Sequence, residues 1–378
     1  MEKLRILFII TDLGKGGAER YLVDLCKQLQ AVNTVDFIIA SLFDNNQYEA
    51  ETKDFNIVTL NFQTFSFRRK NENTILKKLL DDFKPHVIHT HRFLGEFISS
   101  YYILKNCVYV CHGHDNMEQF ANFEWKFLFN KKKLIQWLEK RYLIAKKYSK
   151  VETHFIANSK HTYDFYQKVL STKLKAKVHL IYYGFDFEKF FNPEAFRKEL
   201  EYPIKLINVG SFQPKKNQMF LVKIGIELKK RNVPFKMTLI GNGLLRQDVI
   251  DLIRENNLDE FYDLPGIIHD MKQMYRSHHI YVHSAWYEPF GLVFLEAMAS
   301  GLPIIALDGK GNRDIIENDK NGYLIFEQNE VEFVDKIIEL WHNREKFLAM
   351  SNYAQTFAKQ YDMKKHTEKL LNIYMQKC

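Results

Sequence analysis

Cysteine is scarce, long apolar runs are missing, and no segment is of low complexity; each shortage removes a class of protein. Four cysteines in 378 residues (Cys26, Cys107, Cys111, Cys378) follow no disulfide framework. Cys107 and Cys111 lie in the apolar run Cys-Val-Tyr-Val-Cys and read as packed thiols, so a reducing cytosol is expected. No apolar stretch approaches the roughly 20 residues that cross a bilayer. The opening Met-Glu-Lys-Leu-Arg-Ile-Leu-Phe-Ile-Ile-Thr-Asp has no small-residue cleavage site, and it reads as a first strand, not a signal peptide. Repeats of short period are absent, which excludes solenoids.

What is present is a soluble-type composition, 46% hydrophobic and 26% charged, in a chain too long for one compact core. The formal net charge is +8, unevenly spread. Residues 1–184 hold 28 Lys and Arg against 19 Asp and Glu; the remainder holds 26 against 27. A uniformly basic nucleic-acid binder would not divide this way, so no nucleic-acid partner is expected. One basic and one neutral half suggest two domains with different partners.

Apolar, β-branched runs alternate with helical patterns in both halves. Residues 4–10, 35–41, 86–90, 107–111, 153–158 and 178–183 read as buried strands, and 204–209, 236–240, 280–283 and 303–307 repeat the pattern. Short apolar runs between helices imply parallel sheets covered on both faces, here two doubly wound α/β domains. The boundary is expected at Tyr182-Tyr183-Gly184-Phe185-Asp186. That gives a first domain of residues 1–184, a second of 185–361, and a final helix over 362–378.

The most informative segment is Glu288-Pro-Phe-Gly-Leu-Val-Phe-Leu-Glu296, continuing through Ala-Met-Ala-Ser-Gly-Leu-Pro. Pro289 and Gly291 keep Glu288 in a loop and start a helix near Leu292. The first backbone N–H groups of that helix suit a phosphate. A carboxylate beside them suits sugar hydroxyls. Upstream, Asp12-Leu-Gly14-Lys-Gly16-Gly17-Ala-Glu19 is a glycine-rich first turn, but Glu19 stands where a dinucleotide fingerprint needs glycine, which disfavours a dehydrogenase. Val209-Gly210-Ser211-Phe-Gln-Pro-Lys215-Lys216 puts glycine and then lysine after a strand.

This set, in this order, resembles the retaining glycosyltransferases of family 4, whose fold is GT-B and whose signature is Glu-x7-Glu. The resemblance implies a nucleotide-sugar donor, UDP- or GDP-linked, and a first domain that takes the acceptor across a central cleft. It implies catalytic roles for Glu288 and for His112, the latter near the donor sugar. Donor contacts fall to Gly16, Gly17, Ser211, Lys216, Phe290, Gly291 and Leu292, and the ribose diol to Glu296. No cofactor and no metal are expected, since GT-B enzymes dispense with one. Ser211 departs from the family pattern, which has arginine there; Lys215 or Arg313 would compensate. Ser211 also keeps open a catalytically silent nucleotide-sugar-binding subunit, and a GT-B nucleotide-sugar epimerase is the other alternative. The expected reaction is metal-independent hexosyl transfer to a glycan or lipid-linked acceptor, in bacterial capsule, exopolysaccharide or lipopolysaccharide synthesis.

Two further features bear on partners. His112-Gly113-His114 reads as a loop without neighbouring ligands, too thin for a metal site. Residues 120–133 interleave aromatics with Lys126, Lys131, Lys132 and Lys133, and a helix over 134–150 carries Lys140, Arg141, Lys146, Lys147 and Lys150. This segment reads either as a core helix with a solvated basic face or as a surface for anionic membrane. The second reading would make a cytoplasmic protein peripheral to the inner face of the membrane.

Overall fold

The computed structural model describes residues 2–63, 72–195, 200–268 and 270–375. Cys378, and with it the end of the expected final helix, lies outside them. Two compact units emerge, one of residues 1–184 with 363–378 and one of 185–362.

The first unit is built on a parallel sheet of β1 (Leu4–Ile10), β2 (Val35–Ser41), β3 (Ile57–Thr59), β4 (Val87–His91), β5 (Val108–Gly113), β6 (Thr153–Ala157) and β7 (Val178–Leu180), in the order β3-β2-β1-β4-β5-β6-β7. Helices cover both faces, which is why Leu-Arg-Ile-Leu-Phe-Ile-Ile of β1 is apolar almost throughout. The helix Met363–Met375 belongs to this unit: the Tyr21 hydroxyl lies 2.6 Å from His366 Nε2, and Tyr374 contacts His89 Nδ1. It begins one residue after the expected start, because Asp362 bridges to Phe185 in the second unit.

The second unit carries β8 (Ile204–Val209), β9 (Phe235–Ile240), β10 (Tyr262–Gly266), β11 (Ile280–His283), β12 (Ile304–Leu307) and β13 (Gly322–Ile325), all parallel, in the order β10-β9-β8-β11-β12-β13. Phe220, Leu221, Val249, Phe333 and Trp341 close its core over the sheet.

Both sheets reverse strand order beside their first strand, β1 against β4 and β8 against β11. A doubly wound sheet opens a crevice at that point, past the carboxyl ends of its strands. The residues singled out from sequence follow those strands: Asp12 to Gly17 follow β1, Ser211 and Lys216 follow β8, and Glu288 follows β11.

The basic segment departs from expectation. The helix runs Lys131–Leu143 and gives way to a single π turn, Ile144–Tyr148. Lys147 therefore points inward and is completely buried, not part of a solvated basic face.

Candidate active site

After β8, the turn at Pro214–Lys216 brings Lys216 back toward the end of β11. Ser284 Oγ donates to the Lys216 carbonyl (2.8 Å), and Trp286 N and Nε1 donate to the carbonyls of Lys215 and Pro214. Lys216 Nζ, on a side chain 17% exposed, forms an ion pair with Glu288 Oε2. His283, the last residue of β11, sets Nε2 3.4 Å from the same oxygen.

Glu288 lies in its loop as expected, yet it is only 7% exposed. The reason lies in the 309–314 loop. Glu288 N donates to the Gly309 carbonyl (2.7 Å) and Gly311 N to the Glu288 carbonyl (3.0 Å). A β-carbon on Gly311 would stand 1.8 Å from the Pro289 carbonyl, so only glycine lets the two loops meet. Burial opposes the charge of Glu288, but Lys216 and His283 outweigh it and hold the carboxyl well below the usual range.

Gly291, at φ +93°, turns the chain into the helix Leu292–Ala299, one residue after Phe290. Gly291 occupies the left-handed region that only glycine enters cheaply. Leu292 opens the helix and Glu296 sits one turn in, its Oε2 accepting from the buried Tyr275 hydroxyl at 2.9 Å. Gly241 and Gly266 complete this edge: Gly241 N donates to the Gly266 carbonyl (2.8 Å).

Ser211 lies half-buried beside Gly210, its carbonyl accepting from Gln218 Nε2 at 3.1 Å. Of the two residues expected to compensate for the missing arginine, Arg313 is already committed. It grips Asp308 through Nε (2.8 Å) and Nη2 (2.6 Å), and Lys310 Nζ joins at 2.9 Å. Lys215 lies over the Tyr287 ring at 6.0 Å. His283, Asp308 and Tyr275 are neighbours the sequence did not offer, since nothing in their own segments marks them.

In the first unit, Gly16 precedes and Gly17 opens the helix Gly17–Gln30, and nothing would touch a β-carbon added at Gly17. Glu19 is buried and pairs with Arg92 (2.8 Å). Arg92 itself takes φ +63°, an uncommon conformation for a non-glycine residue, and directly follows His91. His112 is completely buried in β5, not in a loop, and neighbouring imidazoles surround it.

Comparison with known proteins fits this arrangement. The family described as Glycosyltransferase Family 4 matches residues 15–189, and the one described as Glycosyl transferases group 1 matches residues 188–357. The Bacillus subtilis protein EpsF, named as a glycosyltransferase, is 27% identical over 80% of this chain and 79% of its own. The poly(ribitol-phosphate) alpha-N-acetylglucosaminyltransferase of Staphylococcus aureus is 28% identical over 44% of this chain and 34% of its own. Anabaena HepE, solved in complex with UDP-glucose, superposes with a TM-score of 0.78 at 18% identity, covering 99% of this chain and 100% of that one. The two parallel-sheet units are those of a GT-B glycosyltransferase. The chain belongs to glycosyltransferase family 4.

Proposed function

We propose that the protein is a retaining, metal-independent hexosyltransferase that takes its sugar from a UDP- or GDP-linked donor. The observation that carries this reading is Lys216 paired with Glu288 at the strand-order reversal of the second unit. A leaving diphosphate needs positive charge, and the pair can supply it at binding, when phosphate replaces the carboxylate on Nζ. The first N–H groups of the helix Leu292–Ala299 add a dipole. Glu288, released from Lys216, then accepts from sugar hydroxyls, and Glu296 takes the ribose diol. His112 is the candidate catalytic histidine, its Nε2 having no hydrogen-bond partner among the described residues. In the reaction the acceptor oxygen bonds C1 on the face from which the diphosphate departs, the C1–O bond to the diphosphate breaks with its electron pair leaving on the phosphate oxygen, and a phosphate oxygen takes the acceptor proton.

Relatives support the substrate class: HepE is solved with UDP-glucose, and the Staphylococcus aureus relative is named for transfer onto poly(ribitol-phosphate). The acceptor is accordingly a glycan or lipid-linked precursor of a bacterial surface polysaccharide. A thermal-shift scan of nucleotide sugars followed by a transfer assay is the test. A ligand at 100 times its Kd adds about 2.7 kcal/mol, which such a scan reads easily. Transfer that proceeds alike with and without added Mg2+ or Mn2+ supports the reading, and strict dependence on either ion sinks it. Binding without transfer or hydrolysis would favour a silent subunit, a reading that Ser211 and the committed Arg313 support.

Lys216→Ala should weaken a nucleoside diphosphate more than the nucleoside. At ~4 Å and an effective dielectric near 20 the raw attraction is about 4 kcal/mol, and the net loss should fall well below it. The substitution also leaves Glu288 buried without its cation, so the carboxyl should rise back toward its ordinary range. Equal weakening of both ligands in a calorimetric titration would place Lys216 off the phosphate.

We also propose that residues 117–150 dock on anionic membrane. No helix among the described residues is long and apolar enough to cross one. Trp125 is 79% and Phe129 93% exposed, beside Lys126 and just before the run Lys131–Lys133, which pairs an apolar tip with cations as a lipid interface requires. The protein should float with anionic vesicles at low salt and release as salt rises, because each surface lysine contributes only about 1 kcal/mol. Replacing Lys131, Lys132 and Lys133 by Gln should release it with little change in melting temperature. Equal flotation with neutral vesicles would remove the docking role.

A further inference from the structure

On one face of the first unit's sheet stand His89 and His91 of β4 and His112 of β5, with His114 directly after β5. Residues two apart on a strand share a face, and β4 and β5 run in register with His91 beside His112. The rings of His89, His91 and His112 are buried, and that of His114 is partly buried.

The hydrogen bonds fall into two chains. In one, Tyr374 contacts His89 Nδ1, and His89 Nε2 stands 3.2 Å from His112 Nδ1. In the other, Tyr183 contacts His114 Nδ1, and His114 Nε2 stands 2.8 Å from His91 Nδ1. Among the described residues His91 Nε2 has no hydrogen-bond partner and ends the second chain buried, which is costly for a polar atom. Nitrogens of His89, His91 and His112, one from each, lie within 4.8 Å of one another.

We propose that His89, His91 and His112 form a site for one divalent transition-metal ion of the zinc class. Ligand nitrogens about 2.0–2.1 Å from a tetrahedral ion stand about 3.3–3.4 Å apart, which His89 Nε2 and His112 Nδ1 already approach. His91 must close the remainder, a shift of about 1.5 Å or less by the same geometry. The outer shell is in place: Tyr374 fixes Nδ1 of His89 and His114 fixes Nδ1 of His91, which leaves each Nε2 for the ion. Three imidazoles and no carboxylate select Zn2+, Co2+, Ni2+ or Cu2+ over Mg2+ and Ca2+. Bound through Nδ1, His112 keeps its Nε2 for substrate, so the site does not depend on the transfer reaction and can be tested apart from it.

The competing account is a packed ladder of imidazoles. His89 and His91 stack 4.6 Å apart at 13°, and rings so nearly parallel must turn before both can point at one ion. Uptake of metal decides between them. The full chain, stripped of metal and freed of chelator, is titrated with Co2+ and then Zn2+. One Co2+ per chain is expected, with the visible bands of a tetrahedral nitrogen-ligated ion, displaced by Zn2+, and a melting temperature that climbs with free metal. His91→Gln should abolish the spectrum. If that variant does not fold, His114→Gln is read instead: it keeps all three ligands, removes the group orienting His91, and should weaken Co2+ about 10- to 100-fold. No Co2+ spectrum in the wild-type chain, or binding unchanged in the folded variant, overturns the proposal.

Discussion

Glu288→Gln should fold normally, bind nucleoside diphosphate at least as tightly as the parent, and lose turnover by about 10²–10³-fold, the usual cost of one preorganised electrostatic contact. The amide fills the same space and can still accept from Lys216 Nζ, so the buried loop should hold. It removes the charge that competes with phosphate for that lysine, so diphosphate binding does not suffer. What is lost is the anion placed to hold sugar hydroxyls and to face any positive charge that develops at C1. Because Lys216 and His283 keep the carboxyl ionised far into acid, Glu288 should contribute no break to the pH profile of transfer near neutrality. Undiminished turnover in a verified transfer assay would remove Glu288 from the site. Loss of diphosphate binding in step with turnover would make it a structural partner of Lys216 instead.

The readable parts of this protein are those where one physical demand shapes many residues. β1, β8 and β11 are buried on both faces, so their apolar runs show in the sequence within a residue of their ends. The edge strand β10, Tyr-Asp-Leu-Pro-Gly, has no such run and tolerates Pro265 because one side bonds nothing in the sheet, so it reads as a loop. Likewise the Glu-x7-Glu segment announces a loop and a helix start through Pro289 and Gly291. The burial of Glu288 depends instead on Gly309 and Gly311, twenty residues on, meeting it without side chains. The imidazole array is hidden in the sequence because its two halves lie on different strands. The alternation His89-Thr90-His91 and His112-Gly113-His114 was the available signal, legible once both segments are taken as strands, not one as a loop.

Lys147 shows why helical phase cannot always be counted from sequence, and it yields the largest stability effect expected here. The π turn Ile144–Tyr148 inserts a residue into the helical repeat and rotates Lys147 out of the basic face into the core. There Nζ contacts Glu96 Oε1 and Ser99 Oγ, each at 2.7 Å, and lies 4.7 Å from the centre of the Tyr109 ring. Both charged side chains are wholly buried. Lys147→Ala would strand Glu96 as an unpaired buried charge, and removal of one partner from such a pair costs about 3–5 kcal/mol. For a unit of this size the melting temperature should fall by roughly 6–20 °C, at about 2–4 °C per kcal/mol. Replacing both partners, Lys147→Met with Glu96→Leu, should recover most of that loss. Thr90 Oγ1 keeps the Val110 carbonyl and Ser99 Oγ the Glu96 carbonyl, so neither hydroxyl is orphaned when the charges go. Thermal and denaturant unfolding of the single and double variants measure both steps. A single variant within about 1 kcal/mol of the parent, the range of an exposed pair, would show that Lys147 is solvated after all; a double variant no better than the single would mean that the ion pair itself, not the cost of stranding one charge, holds this side of the sheet together.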